Sequence, residues 1–184
     1  MMNYGNIKYC DIADGEGVMT TLFVSGCTHH CKGCFQPETW DFSYGEEFTD
    51  AVAEEIYASL EPAYIDGLTL LGGEPMEPEN QRALVNLLEE VKRRFPDKTI
   101  WAYTGDLYED LTNPDSARHT EVTNRMLACI DVLVDGPFIE EKRDISARFR
   151  GSSNQRILDL NATSEQGHVV EWRGDETFAD RGVW

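Results

Sequence analysis

Positive charge is scarce in this chain. Lys and Arg number 16 against 34 Asp and Glu over 184 residues, a net charge of −18. Phosphate recognition needs a positive face, so neither a nucleic-acid binder nor an anionic-membrane binder is expected. Long apolar runs are missing too. None reaches the ~18 residues of a membrane-spanning helix, and Met1 to Tyr9 lacks the apolar core of a secretion signal. A cytoplasmic location is the expectation. Cysteine is sparse and odd in number, at five. Without export features this argues against a disulfide framework and for metal or thiol chemistry. The remainder is ordinary, with 41% hydrophobic and 27% charged residues. That is globular composition, at a length that predicts one domain with a real core.

The acidity is spread along the whole chain, which reads as a solvated surface. One stretch departs from it. Lys142, Arg143, Arg148, Arg150 and Arg156 face only Asp144. The choice there is between an ordinary polar loop and a contact surface for an anionic ligand or acidic partner. Residues 1–160 are expected to form one domain. Residues 161–184 read as a polar tail, partly disordered.

Thr20 to Ser25 is β-branched and aromatic and stops at Gly26, which predicts a buried strand. Thr49 caps an expected helix with Val52, Ile56 and Leu60 on one face. Gly67 to Leu71 is a second strand. Pro78 to Phe95 is a helix with Leu84, Leu87, Leu88 and Val91 on one side. Thr99 to Thr104 and Val132 to Val134 are further strands, with a helix near Ala117 to Cys129 between them. Arg156 to Leu160 is a candidate fifth strand. Strands alternating with helices predict an α/β fold with a mostly parallel sheet, whose chemistry gathers at the C-terminal strand ends. The chain is short for a closed barrel of ~250 residues, so an open, partial (β/α) barrel is expected.

Cys27, Cys31 and Cys34 follow the first of these strands in a C-x3-C-x2-C spacing. Soft thiolates favour iron–sulfur clusters, zinc or Cu(I). An electron-transfer [4Fe–4S] cluster wants four cysteines. Three would leave one iron open to substrate. Cys10 and Cys129 lie on apolar segments and are expected to be buried core residues. A zinc site using Cys27, Cys31, Cys34 and His29 or His30 is the competing reading, cramped into one eight-residue loop. The two histidines are otherwise expected to be exposed or to donate to cluster sulfur.

With Gly72-Gly73-Glu74-Pro75 after the second strand, this loop resembles the radical S-adenosylmethionine (SAM) superfamily. Asp14-Gly15-Glu16-Gly17 is similar to the motif that precedes the cluster in glycyl-radical-enzyme activases. The stretches Cys27–Trp40, Leu68–Asn80, Ile100–Gly105, Asp131–Phe138 and Arg150–Gln155 together resemble the activating proteins of anaerobic (class III) ribonucleoside-triphosphate reductase. The resemblance implies a radical SAM type of partial barrel. It implies a [4Fe–4S] cluster on Cys27, Cys31 and Cys34 with one open iron, and SAM contacts from Gly33, Phe35, Gly72, Gly73, Glu74 and, more weakly, Thr104. No side chain acts as acid or base in this scheme. The cluster cleaves SAM reductively, and the resulting 5′-deoxyadenosyl radical takes a hydrogen from a glycine Cα of the reductase. A flavodoxin-like protein is the expected electron donor. The basic stretch from Lys142 to Arg156 would border the opening and contact the reductase. An activase of another glycyl radical enzyme, such as a formate-lyase, a ferredoxin-like carrier and a zinc-stabilised interaction module are the alternatives.

Overall fold

The computed structural model describes residues 2–174. Seven strands form one open sheet in the order β3-β1-β2-β4-β5-β6-β7. The strands are β1 (Asn3–Asp11), β2 (Met19–Val24), β3 (Glu46–Glu47), β4 (Gly67–Gly72), β5 (Thr99–Tyr103), β6 (Val132–Asp135) and β7 (Arg156–Asp159). Helices α1 (Asp50–Leu60), α2 (Pro78–Arg94), α3 (Tyr108–Thr112), α4 (Thr123–Cys129) and α5 (Leu160–Gln166) complete the fold.

The four central strands β2, β4, β5 and β6 are parallel. Both edges are antiparallel, β3-β1-β2 on one side and β6-β7 on the other. The expectation of a mostly parallel sheet therefore holds for the centre alone. The reason is connectivity. Parallel pairs need a crossover, which α1, α2 and α3–α4 supply. Only a short loop joins β1 to β2. Residues 136–155 hold one 3₁₀ turn (Glu140–Lys142) rather than a helix, so β7 returns antiparallel.

Period-two alternation divides the apolar residues between two faces. Leu22, Val24, Leu68, Leu70, Ile100, Ala102 and Leu133 pack against the helices. α2 contributes Leu84, Leu87, Leu88 and Val91, with Pro78 at its first turn and Lys92, Arg93 and Arg94 complementing the dipole at its last. The opposite face carries a smaller cluster of Met19, Trp101, Val132, Val134 and Phe149. Trp101 meets Phe149 and Trp172 edge-on, at ring-centroid distances of 5.0 and 4.9 Å. Here the 136–155 segment folds back over the sheet.

Three sequence expectations change. Cys10 is exposed, at φ +57°, in an irregularity where the β1–β2 register shifts between Lys8 and Asp11. A bulge re-aims side chains, so alternation with Tyr9 and Ile12 does not apply. Cys129 is buried as expected. The helix expected from Ala117 begins at Thr123. Asn3–Asp11, not read as a strand, forms β1. Of the expected tail, residues 161–166 continue α5 and Glu171 bridges to Leu158. Residues 175–184 lie outside the described residues.

Candidate functional site

The C-terminal ends of the parallel strands open onto a cavity of about 520 Å³. Its wall draws on Cys27, Cys31 and Cys34 after β2, Gly72 at the end of β4 with Gly73 and Glu74 after it, Thr104 and Gly105 after β5, and Gly136 after β6. Four segments far apart in sequence thus share one rim, where open α/β sheets place their ligands.

The cysteine loop leaves β2 through Gly26, at φ +95°, where any side chain would strike the Phe42 ring. Cys34 donates its amide to the Cys31 carbonyl, 3.1 Å, closing a tight turn. All three thiols are free and half-buried. Burial raises the Cys31 pKa, and the neighbouring Cys27 and Cys34 push in the same direction. Three free thiols lining one cavity suit a soft polynuclear iron–sulfur group. Cys10 and Cys129 do not line this cavity.

Gly72 and Gly73 let two backbones approach. Gly72 has φ +105°, and a Cβ on Gly73 would sit 2.6 Å from the Gly26 carbonyl oxygen. Glu74 is buried, and its carboxylate accepts from the Met76 amide (2.7 Å) and the Gly105 amide (2.8 Å). Burial raises its pKa to about 7. The Glu74 side chain thus ties the β4 and β5 loops together. The Thr104 hydroxyl lines the cavity and accepts from the Asp106 amide, 3.1 Å. Phe35 lies at the rim, 61% exposed, packed on Phe138 with the Arg143 guanidinium over its ring. Gly33 is outside the lining. It sits at φ +73° facing Glu140.

The histidines separate. His30 is exposed, with its ring 4.7 Å from that of Trp40. His29 turns inward. Its Nε2 lies 3.1 Å from Asp106, while its Nδ1 lies 3.4 Å from Glu74 and 3.7 Å from the Cys27 sulfur. The Asp106 hydrogen bond, then that to Cys27, raises its pKa to about 10. His29, Glu74 and Asp106 are close enough to share a cation. Two backbone amides on Glu74 and the Arg118 guanidinium on Asp106 already serve these acids, and His29 is engaged by Asp106. That arrangement weighs against a zinc ion drawn from the same residues.

Asp14, quoted above only as part of a motif, also lines the cavity, as do Tyr103 and Trp40. The Tyr103 hydroxyl is buried without a hydrogen-bond partner among the described residues. Nothing local to Tyr103 announces this, because strand register alone aims it inward.

A family model described as a 4Fe-4S single cluster domain matches residues 13–158. Among similar proteins, one from Haemophilus influenzae is 44% identical over 158 residues, covering 85% of this chain and 97% of the relative. One from Enterobacteria phage T4 is 40% identical, covering 85% and 93%. One from Escherichia coli (strain K12) is 38% identical, covering 86% and 99%. Each is named anaerobic ribonucleoside-triphosphate reductase-activating protein. The chain belongs to this family. The matched span contains the cysteine loop, the Gly72-Gly73-Glu74 turn and the basic segment, and it ends in β7. Among the described residues, no helix is long and apolar enough to cross a membrane.

Proposed function

We propose that this protein is an oxidoreductase that activates an anaerobic ribonucleoside-triphosphate reductase by radical SAM chemistry. The open sheet is read as the partial barrel of that superfamily. Cys27, Cys31 and Cys34 would hold a [4Fe–4S] cluster, leaving one iron for SAM. When bound, the pair supplies an electron to the SAM sulfonium and a carbon radical able to take hydrogen from a glycine of the reductase. The residues of the chain hold and orient. Gly72 and Gly73 open the wall so that backbone carbonyls can meet the SAM amino group. Glu74 braces that wall from behind through the Met76 and Gly105 amides. Phe35 offers a ring at the rim, and Thr104 a hydroxyl on the wall. Gly33 permits the positive φ that brings Cys34 round to the cavity. The observation that carries the reading is the convergence of three free thiols and the Gly72-Gly73-Glu74 turn on one cavity.

The decisive experiment is anaerobic reconstitution, followed by iron and acid-labile sulfide assay and by spectra with and without SAM. We expect about four irons and four sulfides per chain and a spectral change on adding SAM. In Cys31→Ala, SAM cleavage is expected to be lost. A colourless zinc protein, or a Cys31→Ala variant that still cleaves SAM, refutes the reading. The substrate is tested by mixing with the reductase under reducing conditions and looking for a glycyl-radical doublet in electron paramagnetic resonance (EPR). A doublet with a formate-lyase instead would transfer the activity to that partner. A flavodoxin-like donor remains the proposed reductant.

A further inference from the structure

We infer that Arg118 is a positioning residue for the cysteine loop, and that its fixed charge sets the electrical environment of the metal group held there. The inference rests on the proposed cluster at Cys27, Cys31 and Cys34. Arg118 lies between α3 and α4, 90 residues from Thr28. Its side chain keeps 17% exposure and joins three segments. Nη2 donates to the Thr28 hydroxyl at 2.9 Å, Nε lies 3.0 Å from an Asp106 oxygen, and Nη1 pairs with Glu77. Its backbone carbonyl is held by the Gln81 amide of α2, 2.8 Å.

Glu77 turns its other oxygen back onto the loop. Oε1 accepts from the Thr28 amide (2.7 Å) and the Thr28 hydroxyl (2.6 Å). The hydroxyl thus donates to Glu77 and accepts from Arg118, which fixes both its directions. Asp106 passes the contact on to His29 Nε2, and His29 Nδ1 stands beside the Cys27 sulfur. A continuous hydrogen-bonded path runs from a guanidinium outside every recognised motif to the first thiol.

The path is electrostatic as well as mechanical. Glu77 is 5% and Asp106 13% exposed, so their charges are weakly screened. Cluster potentials respond to nearby charge and to hydrogen bonds at the ligands. Removing the Arg118 charge leaves two carboxylates less compensated, and an added electron is then disfavoured. Neutralising Glu77 does the reverse. A clamp that mattered only for packing would respond alike to both changes, since each breaks the same ion pair.

The test uses full-length wild type, Arg118→Gln, Arg118→Lys and Glu77→Gln, reconstituted anaerobically. Iron and sulfide are assayed first, then the cluster midpoint potential by redox titration followed by EPR. Arg118→Gln is expected to shift to more negative potential and Glu77→Gln to more positive. Arg118→Lys should fall between wild type and Arg118→Gln. Equal potentials throughout, or Arg118→Gln and Glu77→Gln moving in the same direction, overturn the inference. If Arg118→Gln does not fold, Glu77→Gln decides alone, and an unchanged or more negative potential there overturns it. A wild type that takes up no iron and sulfide instead removes the cluster reading, and is recognised before any variant is compared.

Discussion

Asp14 shows how a single cavity residue links function to stability. Its pKa is raised to about 6, first by burial, then by its hydrogen bond to Asp11 and the charge of Asp11, with Lys8 opposing. Asp11 is itself buried, but hydrogen bonding from Asp14 and the Ala13 amide holds its pKa low. The two acids therefore titrate as a pair, and their charges also push up the pKa of the buried Tyr103 hydroxyl. The unfolded chain releases the Asp14 proton near 3.8 and the folded chain near 6. Between those values the folded state binds more protons, so stability falls as pH rises through the window, and the cost is fully present above it. Asp14→Asn is expected to flatten this slope. Relative to wild type it should gain on the order of 1 kcal/mol at pH 7, with the gain fading towards pH 4. Urea midpoints from pH 4 to 8 give the comparison, and parallel curves for the two proteins would contradict the raised Asp14 pKa.

At the scale of elements, the sheet edge depends on Arg156. Asp135 ends β6, is fully buried, and accepts from Arg156 Nε (2.9 Å) and from the Tyr108 amide that opens α3 (2.8 Å). Arg156 also reaches Glu109 at 2.7 and 3.0 Å, so one guanidinium joins β6, β7 and α3. Arg156→Met strands the Asp135 charge and should cost about 2–3 kcal/mol, somewhat below a fully buried pair because Arg156 is 31% exposed. Thermal unfolding of Arg156→Met, Asp135→Asn and the double variant measures it. Additive losses would mean that the pair is not coupled. In the sequence, Arg156 read as one more member of a basic stretch, since its two acids lie 21 and 47 residues away. Elements announced by their own periodicity were legible. Thr49 caps α1 through the Val52 amide, and α2 buries the predicted leucines. The start of α4 was not, because the Thr120 and Thr123 hydroxyls bond nearby amides and delay the helix. Nor was β1, whose residues are mostly exposed or half-buried and owe their conformation to pairing with β2. The site divides in the same way. The cysteine and glycine turns are local and readable, while Arg118, Glu77 and Asp106 meet only after folding.

For the whole molecule, the question is how a surface with a net charge of −18 receives a protein partner. The cavity mouth is the local exception. Arg143, Arg148 and Arg150 are exposed there, and Arg150 lines the cavity beside Ile145, itself 90% exposed. Among the described residues, neither Arg148 nor Arg150 forms an ion pair with an acid, although the Arg150 charge helps to lower the Asp144 pKa. Arg148 lies over the Phe149 ring, and Arg150 donates to the Gln155 carbonyl. Both charges therefore stay available to a partner, unlike that of Arg156. A glycine-bearing loop entering the cavity would pass this rim, and the apolar Phe35 and Ile145 would cover it once charge had steered it in. Replacing both arginines by Glu should weaken reductase binding roughly tenfold or more, with iron content unchanged. The wild-type affinity should also fall as salt rises, and the double variant should lose most of that dependence. Arg125→Glu, on α4 and paired with Glu89, makes half that charge change away from the cavity lining and should leave binding intact. Equal loss from Arg125→Glu would make the effect one of total charge, and undiminished binding by the double variant would place the partner elsewhere.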